Sequence, residues 1–258
     1  MHIINSIFIV GTILLSSPLV VAAQPVSFNP SPDARANQIF SQTCNFLKAQ
    51  KFFSFDLDIT YDNVLNSGQK VQYSAYQIVK VRKPNSLQVD YKGDQRNTRF
   101  YYDGKTFTWL NTDDNLYATQ PAPATIDDTV ALLETQYGIT LPLSNLVVSD
   151  PCKIIRGNIE HIEYVGSGFV NRTPAHHLFI TGKDRDWQLW VREGEKAIPL
   201  KIVITYKDQP SQPQYTAIFS NWNSNPTIPK NSFSFVAPPD AGQINFLQID
   251  HTNDLPKK

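Results

Sequence analysis

The sequence predicts a mostly-β, antiparallel fold with one helix ahead of the sheet and a helical insertion between two strand meanders. Three observations carry this. Aromatic and β-branched residues recur at every second position through most of the chain, with turn chemistry at each break. One early stretch, Ala34 to Lys48, has the 3.6 period of an amphipathic helix instead. Between Pro121 and Cys152 the alternation stops and a second helical pattern replaces it, placed to cover a sheet rather than continue it.

The 258 residues carry 23 Lys+Arg against 23 Asp+Glu, so no basic field recommends nucleic acid as a partner. The segment Ile3–Ala23 is apolar and ends in Val21-Ala22-Ala23, small residues that suit a signal-peptidase site. Residues 1–23 are therefore read as a cleaved signal peptide. An uncleaved membrane anchor is the alternative, because the segment holds no Lys or Arg ahead of it and about 20 apolar residues span a bilayer. No cysteine lies near the cleavage site, which excludes lipid attachment there. Residues 24–32 read as an exposed leader, 33–247 as one domain with a lid insertion at 121–152, and 248–258 as a polar tail.

In the first helix, Ser31 and Asp33 stand at N-cap positions, and Ala36, Ile39, Phe40, Thr43, Phe46 and Leu47 form one apolar stripe with Cys44 beside it. From Lys51 the period becomes two. Phe53, Phe55, Leu57, Ile59 and Tyr61 oppose a mostly polar face carrying Asp56 and Asp58. Asn66-Ser67-Gly68 turns the chain into a strand with Val71, Tyr73, Ala75, Val79 and Val81, and Leu87, Val89 and Tyr91 open the next. Asp103-Gly104 centres a hairpin joining Thr98–Tyr102 to Thr106–Leu110, and Leu116–Thr119 follows as a short strand. Thr125 to Tyr137 reads as a helix with Asp127 and Asp128 at its positive end, an apolar face including Val130, Leu133 and Tyr137, and Gly138 as C-cap. Leu141 to Val148 reads as a second short helix. The stretch from Asp186 to Asn223 then supplies three consecutive strands, with Trp187, Leu189, Val191, then Ile202, Ile204, then Tyr215, Ala217, Phe219 at alternate positions. Phe233, Phe235 and Val236 suggest a last strand.

Chemistry is sparse. His176 and His177 are adjacent on a strand and point to opposite faces, so they suit neither one metal nor a catalytic couple. Asp56 and Asp58 share a face about 7 Å apart, but it is the solvated one. There is no nucleophile elbow, P-loop or dinucleotide fingerprint, and no paired metal-ligand spacing, so no catalytic residue, metal or cofactor is assigned. The two cysteines, Cys44 and Cys152, both lie in the exported part; in an oxidising compartment they pair as a disulfide, with two buried thiols as the alternative.

The runs HHLFI, DWQLWVREGEKAIPLKIVITYK, PQYTAIFSNWN and FSFVAPPDA, with YDGKTFT and YGITLPLSNLVVSDPC, closely resemble a family of exported bacterial proteins of unknown function. That family is similar in fold to the LolA/LolB lipoprotein carriers and the mycobacterial LppX lipid-binding proteins. The resemblance spans Asp33 to Leu247. It implies a strongly curved, incompletely closed antiparallel β-barrel, a LolA-like half-barrel, whose concave apolar face is covered by the N-terminal helix and the inserted lid. On that reading the candidate cavity wall is Phe53, Phe55, Leu57, Tyr73, Val79, Val89, Trp187, Leu189, Ile202, Ile204, Tyr215 and Phe219, with Val130, Leu133 and Tyr137 on the lid. The same residues could equally pack against the helices and leave no space. The function expected is a non-enzymatic, monomeric periplasmic carrier for a lipid or lipoprotein acyl chain. A protein-interaction or envelope-sensing module with an envelope partner is the alternative, and a hydrolase with an unrecognised site comes third.

Overall fold

The computed structural model describes residues 32–139 and 142–247. The expected signal peptide, all of the leader except Pro32, and the polar tail lie outside them. Helix α1 (Pro32–Ala49) carries Asp33 in its first turn and Lys48 in its last, matching the helix dipole. Its buried stripe is Ala36, Ile39, Phe40, Thr43, Cys44 and Leu47; Thr43 donates its hydroxyl back to the Ile39 carbonyl, so its polar atom is satisfied within the helix.

Strands β1 (Phe52–Val64), β2 (Lys70–Arg82), β3 (Ser86–Gly93), β4 (Asn97–Tyr102), β5 (Thr106–Asn111) and β6 (Leu116–Pro121) form the first meander. Strands β7 (Ile159–Val170), β8 (Thr173–Gly182), β9 (Arg185–Arg192), β10 (Pro199–Tyr206) and β11 (Gln214–Asn223) form the second. They join where β1 pairs antiparallel with β11, setting Leu57 against Phe219 and Tyr61 against Tyr215. With β12 (Gly242–Gln243) the order is β12-β6-β5-β4-β3-β2-β1-β11-β10-β9-β8-β7. The two end strands do not pair with each other, so the sheet curves without closing.

The β1–β11 seam contains a bulge. Asn221 adopts a left-handed φ of 50° and donates its side-chain amide to Asp56 at 2.6 Å, inserting one extra residue between the pairs Asp56/Ser220 and Ser54/Asn223. Trp222 consequently turns to the inner face, where Asn221 would otherwise point. Its ring stacks on Phe55 at 4.9 Å and Phe53 at 5.7 Å and meets Phe46 of α1 at 5.4 Å.

Two expected elements differ. Phe233–Val236 is not a strand: Lys230–Phe233 forms a 3-10 turn, because the flanking Pro226, Pro229, Pro238 and Pro239 withhold the N–H groups a ladder needs. Phe233 is buried instead beneath Arg82, and Phe235 packs against Tyr101 and Tyr117 on the outer face. The chain then adds β12 parallel to β6 and brings Phe246 round to the inner side, against Phe107 and Tyr137. The expected helix 141–148 is only a 3-10 turn at Ser144–Leu146, preceded by Pro142 and by Leu143 at a φ of 65°; Thr140 and Leu141 lie outside the described residues.

The insertion holds helix α2 (Ile126–Tyr137), capped by the Thr125 hydroxyl accepting from the Asp128 N–H at 3.1 Å and ended by left-handed Gly138 at a φ of 62°. A short helix α3 (Lys153–Asn158), not anticipated from sequence, leads into β7. Cys44 and Cys152 are bonded, joining α1 to the end of the insertion across 108 residues. Closing a loop of that length stabilises by about 4–5 kcal/mol in the chain-entropy account. The double variant Cys44→Ser/Cys152→Ser is expected to lose roughly that much, read as a lower urea midpoint in equilibrium unfolding.

Candidate functional site

The register of the first meander aligns inward side chains in rows across the strands. Phe53, Val81, Leu87, Tyr102 and Phe107 form one row, and all five are buried. Helix α2 lies over its far end: Tyr137 meets the Phe107 ring edge-on, and the Tyr102 hydroxyl donates to the Pro123 carbonyl at 2.7 Å. The next row is Phe55, Val79, Val89, Phe100 and Trp109, entirely apolar. The third is Leu57, Gln77, Tyr91 and Thr98, mixed in polarity.

A cavity of about 250 Å³ lies over the second and third rows, roofed by Val130 of α2 and by Pro142, Leu143, Ser144, Leu146 and Val147. Cavities of about 150 Å³ already hold a small aromatic ligand, and small-molecule pockets start near 300 Å³. Polarity rises from one end to the other. The sealed end is aromatic and aliphatic, whereas the rim is built of Tyr61, Gln77, Tyr91, Gln95, Arg96 and Thr98. Tyr61 donates its hydroxyl to Gln95 at 2.8 Å and packs against Tyr73 with the two rings tilted. Burial, with the neighbouring Tyr61, pushes the Tyr91 hydroxyl up to about 12. Burial also raises Tyr215, the one cavity residue contributed by β11. Gly93 keeps the rim tight: a Cβ there would stand 2.8 Å from Ala75 and 2.9 Å from the Tyr91 hydroxyl.

Of the wall residues named from sequence, Phe55, Leu57, Val79, Val89 and Tyr215 line this cavity, as does Val130 of the lid. Phe53 lies in the buried row at its sealed end, and Tyr73 lies outside the lining against Tyr61. Trp187, Leu189, Ile202 and Phe219 face the other half of the sheet, where α1 packs into the concavity beside a space of about 40 Å³ lined also by Phe40, Thr43 and Leu47. Ile204 is simply buried. Leu133 and Tyr137 pack α2 onto the sheet rather than facing the space. Leu87, Phe100 and Trp109 were missed as lining, although each continues a row that cross-strand register defines. Gln77, a polar residue in an otherwise apolar inward stripe, was the available signal for the rim.

Residues 36–247 match the family model described as a predicted periplasmic protein, DUF2092. The chain belongs to the DUF2092 family. Its compartment is accordingly the periplasm, where the Cys44–Cys152 bond persists. Among solved structures, this DUF2092 protein is similar to LprF from Mycobacterium bovis, with 16% identity, 78% of this chain and 98% of that one covered, and a TM-score of 0.48. It is similar to the lipoprotein LppX from Mycobacterium tuberculosis at 13% identity, covering 76% and 100%, with a TM-score of 0.48. A LolA superfamily protein from Nitrosomonas europaea gives 12% identity, 78% and 97% coverage, and a TM-score of 0.39. No curated protein matches the sequence.

Among the described residues, the histidines and carboxylates of the DUF2092 chain lie outside the cavity lining. His176 and His177 do face opposite sides of β8. His176 lies 3.2 Å from the Tyr164 hydroxyl and 3.5 Å from Glu193, and His177 contacts Gln188 at 3.1 Å while stacking on Trp190. Burial lowers both imidazoles below their usual range. Asp58 is exposed, and Asp56 serves the seam bulge. Lys83 sits at the sealed end, where Pro84 accepts the first N–H of α2 and Ser149 donates both its N–H and hydroxyl to Asp127. Its ammonium donates to the Leu47 carbonyl of α1 at 3.4 Å.

Burial lowers the Lys83 amine from 10.5 to about 8, opposed by Asp127 and Asp150. Because the native state releases this proton before the unfolded state does, Lys83 contributes stability that grows as pH rises between about 8 and 10.5. Lys83→Met removes that dependence. Urea midpoints across this window are expected to rise for the wild type relative to the variant, and parallel curves would show that Lys83 is not desolvated.

Proposed function

We propose that this protein binds one apolar chain, from a lipid or a lipoprotein acyl group, in the cavity between the first meander and the insertion, and shields it in the periplasm without chemically altering it. The observation that supports this most directly is the roofed cavity of about 250 Å³, which lies over the wholly apolar row from Phe55 to Trp109. Each methylene buried there contributes about 0.8 kcal/mol. Among the described residues the lining holds no carboxylate, imidazole or thiol. Movement of α2 would admit the chain. Gly138, between α2 and the rest of the roof, and the left-handed Leu143 within it are the positions best suited to absorb that movement.

A second reading, a protein-interaction module, is favoured by the open edge of β7, where Phe169 is 73% exposed and Val165 53%. Phe169→Glu separates the two readings, because it abolishes capture of a periplasmic partner and leaves chain binding unchanged.

Organic extraction of protein purified from its native envelope, followed by mass spectrometry, is expected to release a stoichiometric amphiphile. Val89→Trp, which places bulk in the middle of the apolar row, should fold normally and release none. The same change at Val191, fully buried in the filled half, is expected to cost about 1–3 kcal/mol or more. Recovery of clean wild-type protein with no affinity for any alkyl chain would end the carrier reading.

A further inference from the structure

The rim of the cavity differs from its floor in a way that names one end of the ligand. Gln77 and Thr98 project from the same row of the inner face, on β2 and β4 either side of Tyr91, and both line the cavity. Thr98 is only 7% exposed. Neither the Gln77 carboxamide nor the Thr98 hydroxyl has a hydrogen-bond partner among the described residues. Their polar atoms open into the cavity, so a ligand that expels water from it must supply the bonds they need.

Arg96 stands at the same end, in the turn between β3 and β4, and it is the one charged side chain among the described lining residues. Its guanidinium lies 5.5 Å from the centre of the Tyr91 ring, which holds it over the rim. Among the described residues it makes no ion pair. Asp94, two residues away, turns its carboxylate to the Ser74 N–H at 2.6 Å instead. A fork of donors with no acceptor thus faces a space that already offers two more unused polar groups.

Resting on the proposed chain-binding function, we infer that the cavity selects a single-chain amphiphile with an anionic oxygen headgroup, a carboxylate or phosphate monoester, bound by Arg96 with Gln77 and Thr98 donating beside it. The alkyl chain lies along the Phe55-to-Trp109 row toward the sealed end. Arginine matches both oxyanions because its parallel N–H groups bond two oxygens at once. A neutral chain end leaves Gln77 half-satisfied and Arg96 without a counter-charge.

Titration calorimetry of the delipidated full-length mature protein with decanoate, decyl phosphate, decanol, acetate and inorganic phosphate tests this. Decanoate or decyl phosphate is expected to bind about tenfold or more tightly than decanol, the scale of one charge-assisted bond. Arg96→Gln should erase that preference with decanol binding unchanged, and Gln77→Leu should weaken the anion but not the alcohol. Arg99→Gln, on the outer face and paired with Asp90 at 3.4 Å, should change nothing. Equal binding of alcohol and acid, or equal losses for both in Arg96→Gln, overturns the headgroup assignment while the chain-binding function stands. Binding of acetate or phosphate as tight as that of the ten-carbon ligands assigns the site to a free anion and overturns it too. Failure of every alkyl ligand removes both.

Discussion

Everything in this fold hangs on the pairing of β1 with β11. Each meander alone is a local structure of neighbouring hairpins; only this pairing, between strands more than 150 residues apart in sequence, makes them one sheet. The bulge at Asn221 matters as much as the hydrogen bonds. By turning Trp222 inward it places an indole against Phe53 and Phe55 of the first meander and Phe46 of α1, so the seam, the helix and the apolar floor share one aromatic cluster. The indole N–H is buried there without a partner among the described residues, a cost of about 1–3 kcal/mol that the surrounding ring contacts must exceed.

The seam also divides the concave face into unequal halves. On the β7–β11 side, α1 lies directly in the hollow, and Ile39, Phe40, Thr43 and Leu47 take up the room. On the β1–β5 side the covering helix is shorter and sits to one end, pinned by Tyr137 on Phe107 and by the Asp127–Ser149 bonds. What roofs the middle is the irregular stretch 142–147, whose backbone cannot approach the sheet as closely as a packed helical face. Space remains because of this difference in cover, since both halves present inward apolar residues along their strands.

That difference explains which parts were legible in the sequence. Strand alternation, the α1 stripe, the capped helix after Thr125 and the disulfide partners were all written in local periodicity or in cysteine count. The apolar face was legible as a face: Trp187, Leu189, Ile202 and Phe219 do point inward, as Phe55, Val79 and Val89 do. Which inward residues border empty space was not legible, because it depends on where α1 and the insertion settle, and no single strand encodes that. The bulge was hidden for a similar reason. Asn221 fits the alternation of β11, and only its partner strand reveals that one residue is surplus. The proline-rich stretch after β11 carried aromatic residues at strand spacing but lacked the N–H groups to form a ladder.

The final residues of the described chain go round the rim of the sheet, laying Gly242–Gln243 along β6 and setting Phe246 against Tyr137. This piece covers β6, which would otherwise be a bare margin free to recruit another strand, and it backs the end of α2. The hollow is thus completed by a clasp that lies 126 residues along the chain from the strand it covers.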